Sequence, residues 1–205
     1  MLDSNNKSDI KIDQKPLKIG GSNFTTHKLV EVSPSRCEFK LTLGTILFCA
    51  FLMVFPLAMA SSFINFSTIH IFFLETVKNN PPVAFPLLLS VIFMIVGWTT
   101  FLSFLRPVVF DKNAGFFWKG FRQPSLSYSE KKRKNTVRLE EIYGLQIIKE
   151  IVYGKSSYTS YELNLVLKNS ERINVVDHGN LRKIKEDAQK LSSFLGVPVL
   201  EEVME

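Results

Sequence analysis

The sequence predicts a two-part protein: a transmembrane α-helical hairpin joined to an α+β domain of antiparallel strands closed by a C-terminal amphipathic helix. Three observations carry this expectation. Between 41 and 74 no acidic or basic residue occurs apart from His70, and between 83 and 105 there is none. After Arg106 the apolar residues fall into period-two runs separated by turn residues. Near the end, Leu181, Ile184, Ala188, Leu191 and Leu195 recur at helical spacing. With 46% hydrophobic and 21% charged residues in 205, the chain is richer in apolar side chains than a water-soluble protein yet normally charged, which implies segregation of the two kinds. The expected boundaries are 1–40 for a polar, partly disordered N-terminal segment, 41–105 for the hairpin and 106–205 for the cytoplasmic β-domain.

The first segment is rich in Asn, Ser and Lys without a sustained period, and its first twenty residues read as disordered. "FTTHKLVEVSPSRCEF" has some alternation and reads as extended. A bilayer core of ~30 Å needs ~20 apolar residues in a helix, and 41–63 and 83–105 meet that length. Pro56 predicts a kink inside the first helix, whereas Pro86 falls in the first turn of the second, where its missing donor has no partner to lose. Lys28, Arg36 and Lys40 before the hairpin, and Arg106, Lys112, Lys119 and Arg122 after it, outweigh Lys78 in the connection. Positive residues stay inside, so the expected protein is a multi-pass membrane protein with both termini cytoplasmic. His70 reads as an interfacial side chain. Cys37 and Cys49 have no partners at metal-ligand spacing, and Cys37 reads as an inert thiol rather than an acylation site.

In the domain, "RPVVFDKNAGFFWKGF" predicts a hairpin turning at Lys112-Asn113-Ala114-Gly115. "VRLEEIYGLQIIKEIVYG" predicts a short helical turn over 139–143 and a strand over 145–152. Leu163, Leu165 and Leu167 alternate with Glu162, Asn164 and Val166, and Ile173 and Val175 resume the pattern after a turn at Lys168-Asn169-Ser170-Glu171. The terminal helix should stop at Gly196 and Pro198 and start at an N-cap supplied by Asp177 or Asn180, with Asp177 preferred.

Chemistry is scarce. Asp177-His178-Gly179 would need a nucleophile to make a catalytic set, and as neighbours on a strand the acid and the histidine would point to opposite faces. The Gly115-x-x-x-x-Gly120 spacing lacks the Lys-Ser/Thr of a phosphate loop. No catalytic residue, metal ligand or cofactor is expected, and the chain does not read as an enzyme. Lys131, Lys132, Arg133 and Lys134 form a basic run, read either as a solvated loop or as a contact to anionic lipid. No nucleic-acid-reading module surrounds it. Tyr153, Tyr158 and Tyr161 in "YGKSSYTSYE" offer a candidate partner surface, since tyrosine gives large contact area at low entropy cost.

The residues "VVFDKNAGFFWKG", "LEEIYGLQII", "SYELNLVL" and "RINVVDHGNLRKIKEDAQKLSSFLGVPV" resemble a family of uncharacterised bacterial two-helix membrane proteins with a cytoplasmic pleckstrin-homology-type (PH-like) domain. The layout is also similar to that of the photosystem I assembly protein family. The resemblance covers about 41–200 and is most specific over 161–167 and 174–180. It implies placement in the bacterial inner membrane and a PH-like sheet or barrel, whole or truncated, and no reaction. The expected function is therefore an integral membrane protein presenting a binding or assembly module to a protein partner or to membrane lipids. The alternatives are a subunit of a membrane enzyme or transporter, or an immunity-type membrane protein.

Overall fold

The computed structural model describes residues 12–17, 20–61, 81–124, 135–154 and 156–200. The chain divides into two compact units, one comprising Met1–Thr42 with Pro107–Glu205 and the other Leu43–Arg106.

The first unit is built on two sheets. One is five-stranded, in the order β1-β2-β3-β4-β5, from β1 (His27–Ser33), β2 (Arg36–Leu41), β3 (Val108–Asp111), β4 (Phe116–Lys119) and β5 (Thr136–Arg138). The other is four-stranded, in the order β8-β7-β6-β9, from β6 (Ile142–Val152), β7 (Tyr158–Leu167), β8 (Arg172–His178) and β9 (Val199–Leu200). All neighbours are antiparallel except β6 and β9. β2 pairs β3 with Phe39 opposite Val108, so the whole second unit is an insertion in the chain between two adjacent strands.

Local chemistry explains the turns. Asp111 ends β3 and accepts the N–H groups of Asn113 and Ala114 on one carboxylate oxygen, both at 2.9 Å, and Gly115 takes φ 76° to complete the turn. A 3-10 turn, Leu139–Glu141, links β5 to β6. At the β7–β8 turn Asn169 accepts the N–H of Glu171, and Ser170 adopts φ 68°.

Period-two alternation sends Leu163, Leu165 and Leu167 of β7 inward, where they pack with Phe39, Phe110, Phe117, Leu145 and Ile147. The terminal helix, Leu181–Leu195, closes this core with Ile184, Ala188 and Leu191. Its N-cap is Asn180, whose side chain accepts the N–H of Lys183 at 3.1 Å. Its C-terminal Gly196 is left-handed at φ 72° and donates to the carbonyl of Ser192. Asp177, the preferred cap, instead lies within β8 and accepts a hydrogen bond from Asn174 at 2.7 Å.

The second unit holds α1 (Leu43–Ser61) and α2 (Pro81–Phe104), so the C-terminal helix is α3. The two pack where Gly97 meets Leu52, with the atoms of Leu52 3.1–3.2 Å from where a β-carbon on Gly97 would lie. Leu47, Phe51, Val54 and Phe55 on α1, and Ile92, Ile95 and Trp98 on α2, are exposed.

Three expectations are corrected here. Among the described residues no helix is long and apolar enough to cross a membrane. The expectation had rested on uncharged runs of sequence that reach the length of a bilayer core. The two-helix membrane hairpin is therefore overturned. The reading as an integral, multi-pass inner-membrane protein with both termini cytoplasmic falls with it. Nor do the described strands close into a barrel: β1 and β5 bound one sheet and β8 and β9 the other, and closure requires such outer strands to pair. What the described residues form instead is an α+β arrangement of two open sheets and three helices of regular α type.

Candidate functional site

The outward face of β6-β7-β8 is polar. Opposite residues of β6 and β7 place Glu150 beside Ser160 and Gln146 beside Asn164, with Glu162 between them on β7. Arg172, Asn174 and Asp177 continue the face on β8. Such a face normally meets water, yet Ser160, Glu162 and Asn164 are at most 1% exposed. The cover is the chain's own N-terminal segment, described over 12–17 and from 20 onward.

This arm is held through its main chain. Glu162 accepts the N–H of Leu17 at 2.9 Å and is itself steadied by Asn164 at 3.0 Å. Glu150 takes two successive N–H groups, Gly20 at 3.0 Å on one oxygen and Gly21 at 3.2 Å on the other. Gly20 has φ 85°, a left-handed angle that turns its N–H and the next toward one anion, the geometry of a backbone nest. Tyr158 donates its hydroxyl to the carbonyl of Gly21 at 2.8 Å. At the other end, Gln146 donates to the carbonyl of Asp13 at 3.1 Å, and Arg172 pairs with the Asp13 carboxylate at 3.3 Å. The N–H of Lys15 and the Arg172 guanidinium hold that carboxyl below its usual range. A buried carboxylate that receives N–H donors avoids the large cost of an unpaired buried charge. Two buried polar atoms of the face, Ser160 Oγ and Asn164 Oδ1, receive no hydrogen bond from the arm.

After the arm the chain crosses the end of β8. Thr25 bridges His178, and Gly179 donates to the carbonyl of Phe24 at 3.2 Å. A side chain at Gly179 would overlap the backbone of Asn23, so this crossing requires glycine for space.

His178 points to the opposite face from Asp177, into the core, as strand alternation requires. It is 0% exposed, and its Nε2 lies 3.9 Å from a carboxylate oxygen of Asp187 on α3. That same oxygen accepts the N–H of Leu29 at 3.2 Å. Burial, and then the positive charges of His27 and Lys183, push the histidine down to about 4, while burial pushes Asp187 up. Neutral and enclosed at physiological pH, His178 is an interior side chain.

The other sequence candidates are scattered. Tyr153 is 81% exposed after β6, Tyr158 is spent on the arm, and Tyr161 packs against the core, so the three do not share a surface. The basic run at 131–134 lies outside the described residues. Cys37 is buried in β2, and desolvation pushes its thiol up to about 11, which leaves it protonated at neutral pH. Among the described residues no group of His, Cys, Asp or Glu could hold a metal ion. Asn180 carries the cap, so Asn180→Ala should cost about 1 kcal/mol, read as a lower midpoint in urea. Sequence reasoning missed Glu150, Gln146, Ser160 and Arg172, and read Glu162 and Asn164 as simply outward. The available signal was the glycine pair Gly20-Gly21 in a segment otherwise without period.

No family model matches the chain, and no curated protein is significantly similar to it.

Proposed function

We propose that the β unit is a non-catalytic recognition module that binds an extended segment of a protein partner along the polar face of β6-β7-β8. The supporting observation is that two buried carboxylates, Glu150 and Glu162, take three main-chain N–H groups of the N-terminal arm, those of Leu17, Gly20 and Gly21. Main-chain hydrogen bonds supply affinity in peptide recognition, and the space beside them supplies specificity. The face presents Glu150, Glu162 and Asp177, which repel a polyanion, and so favours a protein over a nucleic acid.

The test uses the full chain with a protease site introduced at the exposed 22–23 junction. After cleavage, a labelled synthetic peptide of residues 12–22 should exchange into the face, read by fluorescence anisotropy. Glu162→Gln should weaken its binding about ten- to a hundred-fold, because a hydrogen bond to a charged group is worth ~1.5–3 kcal/mol. A cut protein that stays folded and takes up no peptide would sink the reading.

A further inference from the structure

We infer that the partner segment carries a glycine at the place held by Gly21 and a carboxylate at the place held by Asp13, and that the chain's own arm is a resident competitor for it. This rests on the recognition reading above and adds the chemistry of the ligand.

The glycine requirement is one of space. A β-carbon at Gly21 would overlap Ser160 Oγ, lie 2.7 Å from Ser160 Cβ and sit 3.3 Å from a carboxylate oxygen of Glu150. Ser160 is 1% exposed and paired with Glu150 of β6, so its Cβ is fixed by the strand backbone. Gly20 differs: nothing lies within 4 Å of where its β-carbon would be, and only its positive φ favours glycine. Discrimination is therefore concentrated at the second glycine, where a clash with the strand itself rejects any larger residue.

The carboxylate requirement comes from Arg172. Its side chain is 6% exposed, and Gln146 fixes it by accepting from Nη1 at 3.2 Å. Its Nη2 meets Asp13 Oδ2 at 3.3 Å. The Asp13 side chain is 62% exposed, so the pair is partly solvated and the acid contributes modestly; a segment lacking it is disfavoured by that amount. The resident arm is also an incomplete ligand, since Ser160 Oγ and Asn164 Oδ1 remain without partners beneath it.

The experiment titrates three labelled peptides of residues 12–22, native, Gly21→Ala and Asp13→Asn, against the cleaved full chain. Gly21→Ala should bind at least tenfold more weakly, and Ser160→Gly in the protein should restore it, because the substitution removes the atoms it strikes. Asp13→Asn should bind several-fold more weakly, with the difference vanishing in Arg172→Gln. Equal affinity of the native and Gly21→Ala peptides would overturn the glycine requirement while leaving recognition intact. Equal affinity of the native and Asp13→Asn peptides would do the same for the acid. No uptake of any peptide would instead defeat the recognition reading. If the uncut chain is a dimer that Gly21→Ala converts to monomer, the occupant is the arm of a second copy, and the separate partner is overturned.

Discussion

Acidification from pH 7 to 4 should remove about 3 kcal/mol of stability from the β unit through one residue, His178. Its folded value of about 4 lies below the ordinary 6.5, so between those values the unfolded chain binds more protons than the folded one. The contribution is therefore fully present above about pH 6.5 and is lost as pH falls toward 4, at about 1.4 kcal/mol for each unit of displacement. Asp187 works in the opposite sense. Burial raises its value above the ordinary 3.8, so the folded state binds the extra proton and gains stability as pH falls through that raised value. Urea midpoints across pH 4–7, followed by the fluorescence of buried Trp118 in a Trp98→Phe background, should show the decline. It should flatten in His178→Phe and steepen in Asp187→Asn. An unchanged slope in His178→Phe would rule the histidine out as its source. A rise in stability on acidification would mean that a charged His178–Asp187 pair forms in the interior.

Leu163→Ala should cost about 2–5 kcal/mol, the range for emptying a close-packed site. Leu163 is 0% exposed, stands opposite Ile147 on β6 and Val176 on β8, and belongs to the core that both sheets and α3 share. The cavity cannot collapse easily, because three paired strands fix the walls. Tyr153→Ala should change stability by no more than about 0.5 kcal/mol, as for other exposed positions. Thermal melts of the two variants side by side provide the check. A loss below 1 kcal/mol for Leu163→Ala would mean that β7 is not the centre of the sheet.

The contrast between those two residues was legible in the sequence. Leu163, Leu165 and Leu167 alternate with Glu162, Asn164 and Val166, and side chains of a strand alternate whatever surrounds it, so the inward set follows from spacing. The same holds for Ile184, Ala188 and Leu191 on α3, for the turn at Lys112-Asn113-Ala114-Gly115 and for the stop at Gly196. The cap was legible only as a choice. Asp177 and Asn180 have equal chemistry for the task, and the extension of β8 through His178 decides for Asn180.

What lies opposite a face was not legible. The pairing of Phe39 with Val108 joins residues separated by the entire inserted unit, and no period crosses such a gap. The uncharged runs in α1 and α2 record composition, and the membrane reading drawn from them is overturned because among the described residues no helix is long and apolar enough to cross a membrane. The candidate site was hidden for a related reason. Spacing places Glu162 and Asn164 on the outer face of β7, but only tertiary structure lays the arm across them and turns a solvated surface into a buried one. Local sequence thus determined the direction in which each side chain points, because that depends on backbone geometry within a few residues. The fold alone decided what each side chain meets, because that depends on closing loops of a hundred residues or more, such as the contacts of Leu17 with Glu162 and of Gly21 with Glu150.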